Sequence, residues 1–391
     1  MLPAVHAAGY FTGVMGTGEH GRQLVAALRA QGIAVDLTLL RPDGSPEDEA
    51  LGSRLAADGD ASEGSFDAFN LLCANADMVP EVASQLGSVF FGGRYTIGFW
   101  AWEVSLFPDW LHPAFDHVQE VWVGTRHVQQ AVQRAARDRL PVLSIPQPVS
   151  LTADSIDAAP PSALPPGFRF LFAFDYLSVF ERKNPLATVA AFTRAFNPGA
   201  GAKLIVKALN PEHDPTSHER LRSAVGKHPD IHLIERRLSR SERDGLINAA
   251  DCYVSLHRAE GFGYTLAESM WLGKPVIATG YSGNLEFMTS ENSYLVDYQL
   301  VPIGPDARPY PTEGEWASPD VDHAASLMRR VFDHREEAEA KATRAASDIR
   351  AGHGPEVAGR VMHERLNLLA REPPIRGRVR RTVRSALRFT R

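Results

Sequence analysis

Two glutamates in one short segment, Glu260 and Glu268, are the side chains in this sequence best placed to do chemistry. The segment follows an apolar run over residues 252–256, so Glu260 falls in a loop at the carboxyl end of a predicted strand. Open α/β sheets bind ligands at such strand ends. Gly261 and Gly263 expose backbone N–H groups at a predicted helix start, where the helix dipole favours an anion such as a diphosphate. The alternative is a capping acid followed by a solvated helix acid.

A second candidate for anion binding is the run Gly16-Thr-Gly18-Glu-His-Gly21. Its glycines lie between a predicted strand and a predicted helix, where they would let a phosphate approach the backbone. A dinucleotide site also needs an acid at the end of the second strand, but Asp36 lies in the middle of that strand. We therefore expect a ligand-facing loop that includes Gly16 and Gly18, with a turn that merely packs as the alternative.

These residues must be positioned by two sets of alternating strands and helices, the pattern typical of parallel α/β sheets. Residues 1–150 form the first predicted domain, a proline-rich linker covers residues 151–167, and residues 168–350 repeat the pattern. A further helix is predicted within residues 351–375, and residues 376–391 form a basic tail. The predicted strands cover residues 33–39, 69–73, 95–102, 120–123, 142–145, 168–174, 203–208, 231–234, 252–256 and 275–278. The predicted helices lie near residues 22–29, 185–196, 218–227, 241–249, 264–272 and 320–350.

The segment from Glu260 to Glu268 resembles the E-x7-E signature of the retaining glycosyltransferases of family 4, which have the GT-B fold. Other runs resemble the same family, among them Glu181-Arg-Lys-Asn-Pro185 and the W-A-W-E run that ends at Glu103. The resemblance implies an α/β protein with two Rossmann-like domains facing a central cleft. It places the acceptor on the first domain and the nucleotide sugar on the second, and it implies that the helix within residues 351–375 crosses back to the first domain.

The resemblance also implies roles for individual residues of the second domain. Glu260 would contact the donor sugar and Glu268 the ribose, while Gly261, Phe262 and Gly263 would meet the sugar and diphosphate through their backbone. An Arg and a Lys of the family hold the diphosphate and stabilise its departing charge, and Arg182 and Lys183 match them by location. Here the two cations are adjacent, whereas the family separates them by several residues, so Lys183 is the firmer assignment.

In the first domain many relatives supply a histidine near the reacting carbon, but the matching strand end here is Gly98-Phe-Trp-Ala-Trp102-Glu103. Trp102 could stack on the face of an acceptor sugar, and Glu103 could bond sugar hydroxyls as a catalytic residue. A tryptophan in a strand is as often part of the core. Both interpretations of Trp102 stay open.

The function that this resemblance implies is transfer of a hexose, with retention of configuration, from a nucleoside diphosphate sugar to a hydroxyl of a glycan, polysaccharide or lipid-linked acceptor. GDP-mannose is the first expected donor and UDP-glucose the second. No cofactor and no metal are expected, because the pair Asp58 and Asp60 lies in a polar loop and the histidines lack ligand spacing. A nucleotide-sugar epimerase and a non-catalytic nucleotide-sugar binder remain alternatives. An NAD-dependent dehydrogenase is disfavoured because hydride chemistry has no need of Glu268.

Composition sets the remaining limits. The chain of 391 residues is 44% hydrophobic and 23% charged, which is typical of a soluble globular protein of two domains. No run approaches the length of about 20 apolar residues that spans a bilayer, so a cytoplasmic protein is expected. The net charge is −6, which disfavours a nucleic-acid partner, but the tail Arg376–Arg391 is basic. That tail is either solvated or in peripheral contact with the inner face of a membrane.

Overall fold

The computed structural model describes residues 4–12, 16–40, 69–151, 157–160 and 164–371. Residue contacts divide the chain into two compact units. The first unit consists of Met1–Trp102, Phe107–Pro148 and His353–Arg391, and the second of Glu103–Leu106 and Val149–Gly352. The tail Arg376–Arg391, the pair Asp58 and Asp60, and residues 152–156 and 161–163 of the predicted linker lie outside the described residues.

The first unit contains a parallel sheet of six strands with helices in the connections. Its middle strands are buried along their whole length, as expected when helices cover both faces of a parallel sheet. The strands follow the spatial order β2-β1-β3-β4-β5-β6. They are β1 (Val5–Gly9), β2 (Val35–Leu39), β3 (Phe69–Cys73), β4 (Tyr95–Trp100), β5 (Glu120–Val123) and β6 (Val142–Ser144). The helices in these connections are α1 (Gly16–Ala30), α2 (Val79–Phe91) and α3 (Arg126–Ala136).

The second unit contains another six-stranded parallel sheet, in the order β12-β11-β10-β7-β8-β9, and a two-stranded antiparallel hairpin. The sheet strands are β7 (Phe168–Asp175), β8 (Ala202–Leu209), β9 (Ile231–Ile234), β10 (Cys252–Ser255), β11 (Val276–Thr279) and β12 (Tyr294–Val296). The hairpin pairs β13 (Tyr298–Pro302) with β14 (Glu315–Pro319). The helices are α4 (Phe180–Lys183), α5 (Pro185–Ala195), α6 (Pro215–Val225), α7 (Arg240–Ala249), α8 (Tyr264–Trp271), α9 (Val321–Asp333) and α10 (Arg335–His353).

The last described helix, α11 (Pro355–Arg371), packs within the first unit. A Cβ on Gly359 would lie 2.3 Å from the carbonyl oxygen of Ala27, so α11 and α1 approach closely because this position is a glycine. Arg365 of α11 also pairs with Glu120 of β5 at 2.5 Å, and this carboxylate is fully buried. Backbone contact and a buried ion pair therefore both hold α11 against the first sheet.

The α/β class and the two parallel Rossmann-like sheets that the sequence predicts are confirmed. Asp320 caps α9, because its side chain accepts hydrogen bonds from the backbone N–H groups of Asp322 and His323. The single helix expected over residues 320–350 is wrong, because the backbone leaves helical geometry at His334 and forms α9 and α10. The predicted glycine loop before α1 is also corrected, because Gly16 and Gly18 lie within the helix itself.

Candidate active site

The centre of the second sheet is where its connections reverse direction. The chain runs outward from β7 through β8 to β9, and then returns to β10 on the other side of β7. Parallel strands with this reversal leave a crevice outside their carboxyl ends, where ligands bind in open α/β sheets. The residues that follow β7 and β10 meet at this place.

Glu260, which follows β10, forms two ion pairs with residues that follow β7. One carboxylate oxygen, Oε2, lies 3.1 Å from Nη1 of Arg182, and Oε1 accepts a short hydrogen bond from Nζ of Lys183. The exposed fractions of the side chains are 10% for Glu260, 4% for Arg182 and 19% for Lys183. The structure thus brings together three of the predicted catalytic residues in one buried cluster.

Backbone geometry explains why these two cations point at one carboxylate. The short helix α4 ends at Asn184, which adopts the left-handed conformation and allows the chain to turn into α5. The side-chain amide of Asn184 donates to the backbone carbonyl of Leu256 at 2.9 Å, and the backbone N–H of Arg258 donates to the carbonyl of Arg182 at 2.8 Å. These bonds fasten the segment after β7 to the segment after β10.

A third segment, residues 280–284 after β11, holds the backbone of Glu260. The N–H of Glu260 donates to Oγ of Ser282 at 2.8 Å, and its carbonyl accepts from the N–H of Gly283 at 2.8 Å. A Cβ on Gly283 would lie 2.1 Å from the carbonyl oxygen of Gly261, so only glycine permits this approach. Buried His257 contacts Oδ1 of Asn284 at 3.1 Å and reinforces the same contact.

Glu268 lies on α8, the helix that begins directly after the glycine-containing loop. Gly263 precedes that helix with a φ of 94°, a conformation that favours glycine. The carboxylate of Glu268 is buried and accepts a hydrogen bond from Nη2 of Arg243 at 2.9 Å. Arg243 belongs to α7 and also bonds the buried carboxylate of Asp244 at 2.6 Å. The second glutamate of the motif is therefore held in place by a residue that the sequence motif does not include.

Charge and burial fix the protonation of Glu260. Burial alone would raise the pKa of the Glu260 carboxyl, but Lys183 and Arg182 outweigh it and lower the pKa to about 2. The carboxylate is therefore ionised at neutral pH, and it can stabilise positive charge or accept hydrogen bonds. It has no proton to donate to a leaving group.

Three other predicted site residues, Trp102, Glu103 and Phe262, have partners within the protein. Trp102 is 6% exposed and its ring meets Phe107 edge-on with centroids 5.7 Å apart, which is the packing of a core aromatic residue. Glu103 accepts a hydrogen bond from the hydroxyl of Tyr310 at 2.9 Å, within the second unit. The side chain of Phe262 packs on Phe287, with centroids 4.9 Å apart, so only its backbone is available for the predicted ligand contact.

Sequence reasoning missed Tyr310 and Arg243. Tyr310 lies in the proline-containing loop between β13 and β14, 207 positions from its partner Glu103. Arg243 lies in a helix whose sequence, Arg240–Ala249, is rich in charge and looks like a solvated surface. No local pattern distinguishes either residue from a surface side chain. Within the described residues, no group of three or more His, Cys, Asp and Glu side chains could hold a metal ion.

The two six-stranded parallel sheets, one in each unit, define a class of architecture, the GT-B fold. Residues 176–302 match the family model described as "Glycosyl transferases group 1". The matched segment begins directly after β7 and contains Lys183, Glu260 and Glu268. The GT-B fold expected from the resemblance is therefore confirmed. No curated protein gives a significant match to the sequence.

Three solved structures with the same fold are similar to this chain over nearly their whole length. HepE of Anabaena, solved in complex with UDP and glucose, is 15% identical with a TM-score of 0.61, covering 94% of this chain and 100% of HepE. Sucrose-phosphate synthase from Thermosynechococcus elongatus is 15% identical with a TM-score of 0.64, covering 94% and 98%. A glycosyltransferase from Rickettsia africae is 12% identical with a TM-score of 0.62, covering 95% and 99%. At these identities the likeness is one of fold.

Proposed function

We propose that this chain is a glycosyltransferase that moves a hexose from a nucleoside diphosphate sugar to a hydroxyl of a glycan, polysaccharide or lipid-linked acceptor. The observation that carries the proposal is the buried cluster of Glu260, Lys183 and Arg182 at the reversal point of the second sheet, beside the amino end of α8. A family model of glycosyl transferases matches the same segment. A uridine diphosphate sugar is the first donor to test, because HepE was solved with UDP-glucose, and GDP-mannose is the second.

The chemical difficulty of such a transfer is breaking the bond between the anomeric carbon and the phosphate oxygen. Negative charge then develops on the diphosphate and positive character on the sugar ring. The Lys183 ammonium and the backbone N–H groups at the start of α8 are the groups suited to the diphosphate. The ionised carboxylate of Glu260 is suited to the sugar, either by accepting its hydroxyls or by opposing the ring charge.

We infer retention of configuration from the resemblance to family 4. In that reaction the acceptor oxygen bonds to the anomeric carbon on the face from which the diphosphate departs. The hydroxyl proton of the acceptor passes to the leaving phosphate oxygen, so no protein acid is required. An ionised Glu260 is compatible with this course, because it would act through charge and not through proton transfer.

Three measurements test the proposal. A thermal-shift series of nucleoside diphosphates and their sugars should raise the unfolding midpoint for the correct base, since binding to the folded state adds about 2.7 kcal/mol at a concentration of 100 Kd. Glu268→Ala and Lys183→Ala should each reduce transfer at least about tenfold while the protein stays folded. Near-native transfer in both variants would refute the site. Donor alone should give no altered nucleotide sugar, whereas an epimerase would produce one.

The membrane contact remains a proposal for the tail, Arg376–Arg391. Across the residues that the structure describes, no helix combines the length and apolar character needed to cross a bilayer. We propose a cytoplasmic enzyme whose basic tail meets an anionic membrane surface, where each basic residue near the surface contributes about 1 kcal/mol. Sedimentation with vesicles that contain anionic lipid, compared for the full chain and a chain ending at Arg371, tests it.

A further inference from the structure

A second carboxylate, that of Glu103, lies beside Arg182 and is bonded in turn by Tyr310; the Glu103 side chain is 24% exposed. The segment Glu103–Leu106 packs with the second unit, and Oε1 of Glu103 lies 3.8 Å from Nη2 of Arg182. The other oxygen of Glu103 accepts a hydrogen bond from the hydroxyl of Tyr310 at 2.9 Å. Contacts therefore run from Tyr310 through Glu103 and Arg182 to Glu260.

Arg182 has protein partners at all three guanidinium nitrogens. Nε donates to the carbonyl of Ser178 at 3.1 Å, and Nη1 donates to the carbonyl of Ala259 at 2.9 Å while also pairing with Glu260. Nη2 faces Glu103. The side chain is 4% exposed. A guanidinium with partners at every nitrogen is held rigidly by the protein, whereas the ammonium of Lys183 lies at the end of a flexible side chain.

The protonation of Tyr310 makes it a donor in this network. Burial raises the pKa of the Tyr310 phenol well above its ordinary value, with Arg182 opposing and Glu103 adding to the shift. The phenol therefore keeps its proton and donates a hydrogen bond to Glu103. That bond fixes one oxygen of Glu103 and leaves the other toward Arg182.

We propose that Tyr310 and Glu103 are positioning residues that hold Arg182, and that Arg182 in turn fixes one oxygen of Glu260 for the sugar. Lys183 is then the cation left to the diphosphate. This inference rests on the proposed function. It reassigns Arg182 and Glu103, which the sequence predicts as catalytic, to a supporting role behind Glu260. It also adds Tyr310, which no motif contains.

The test is Tyr310→Phe, which removes the hydroxyl and keeps the ring. We expect kcat to fall about five- to tenfold with the donor KM changed less than about twofold, because the donor still binds but meets a less constrained carboxylate. Glu103→Gln should give the same pattern, since an amide pairs poorly with Arg182. The matched control is Tyr298→Phe, on the same hairpin, which should retain kcat within about twofold.

A second background distinguishes positioning from simple damage. In a Glu260→Gln protein, Tyr310→Phe should cause no further loss, because the carboxylate that it positions is gone. Losses that multiply in the double variant, or wild-type kcat in both Tyr310→Phe and Glu103→Gln, would overturn the inference. If Tyr310→Phe fails to fold, Glu103→Gln provides the same two tests: the loss of kcat in the single variant and the absence of a further loss in the Glu260→Gln background. A wild-type chain that transfers from no donor overturns the proposed function and this inference with it, whereas an active wild type with unaffected variants overturns the inference alone.

Discussion

Buried charge at the site is balanced within the protein itself. Glu260 and Glu103 supply two carboxylates, and Arg182 and Lys183 supply two cations. Each of these charges would be costly to bury alone, and each has an opposite charge nearby. A donor that brings a negatively charged diphosphate must therefore draw a cation away from a carboxylate or use the amides at the start of α8. Lys183 is the cation that can move, since it is the more exposed of the two.

The state of Glu260 leads to a prediction at the residue scale. Its pKa is lowered to about 2, with burial opposing the shift and Lys183 and Arg182 driving it, so the carboxylate stays ionised across the working range of pH. We expect Glu260→Gln to lose at least about tenfold in kcat/KM, or about 1.4 kcal/mol. The ratio of wild-type to variant activity should be constant from about pH 5 to pH 9, because Glu260 does not titrate there.

The measurement is kcat/KM of both proteins over that range of pH. A ratio that falls as the pH decreases through about 5 would mean that Glu260 loses its charge in the working enzyme. The ion pairs seen here would then be absent when the donor is bound. Asp175→Asn is a matched control, because Asp175 is the last residue of β7 but accepts hydrogen bonds from Asn210 and lies outside the ion pairs of Glu260.

The residues that the sequence could place are marked by local patterns, whereas those that it could not place are defined by contacts between positions far apart in the sequence. Glu260, Glu268 and Lys183 stand next to predicted strand ends, and strand ends are readable from local apolar patterns. Tyr310 reaches Glu103 across 207 positions, and nothing local marks such a contact. The contacts of Arg182 could not be predicted either. Burial, which the local sequence does not show, decides whether an arginine faces a ligand or the protein.

At the element scale the position of Glu260 depends on two loops that touch through their backbones. The loop of residues 280–284 makes two hydrogen bonds with the backbone of Glu260. Oγ of Ser282 accepts from the N–H of Glu260, and the N–H of Gly283 donates to its carbonyl. Neither contact involves the carboxylate of Glu260. The geometry of the site is therefore set by backbone packing between the connections after β10 and β11, in addition to the ion pairs.

Gly283→Ala tests this loop contact. The added Cβ would lie 2.1 Å from the carbonyl oxygen of Gly261, so the two loops must separate and the hydrogen bond from Gly283 to Glu260 must weaken. We expect a loss of stability of about 1–3 kcal/mol and a larger fractional loss of transfer activity, measured by urea unfolding and by kcat.

The matched control for this substitution is Gly304→Ala, because a Cβ on Gly304 would meet no atom within 4 Å. It should leave stability within about 0.5 kcal/mol of the wild type. A Gly283→Ala protein with wild-type stability and activity would show that the loops can separate without consequence, and that side chains alone hold Glu260.

The elements themselves were largely readable from the sequence, and the exceptions have physical reasons. Strands such as β7 and β8 are long apolar runs that a parallel sheet buries on both faces. The strand β13 was missed because it is exposed nearly throughout and lacks such a run. The break at His334 was missed because the sequence on both sides favours helix, and residues 321–351 contain no glycine or proline.

At the scale of the whole molecule, stability should depend on pH through a lysine buried in the second sheet. Lys207 lies on β8, is 5% exposed, and among the described residues its ammonium makes one hydrogen bond, to the carbonyl of Ala208 at 2.6 Å. Burial lowers its pKa from 10.5 to about 8, with Asp175 opposing the shift and Arg236 adding to it. Below about pH 8 the folded chain therefore contains a buried, charged ammonium that lowers its stability.

The sign of the effect follows from proton linkage. Below about pH 8 the folded and unfolded chains both hold the Lys207 proton, between about pH 8 and 10.5 only the unfolded chain holds it, and above that range neither does. Folding therefore releases a proton in this range, and the free energy of unfolding rises with pH there.

Lys207→Met should be more stable than the wild type at pH 7 by up to about 3 kcal/mol, and the advantage should shrink toward pH 10.5. Urea midpoints of both proteins at pH 7, 9 and 10.5 measure this, with the exposed Lys227→Met as the control that should show no such trend. A Lys207→Met protein that is less stable than the wild type at pH 7 would mean that the ammonium contributes contacts worth more than the cost of burying its charge.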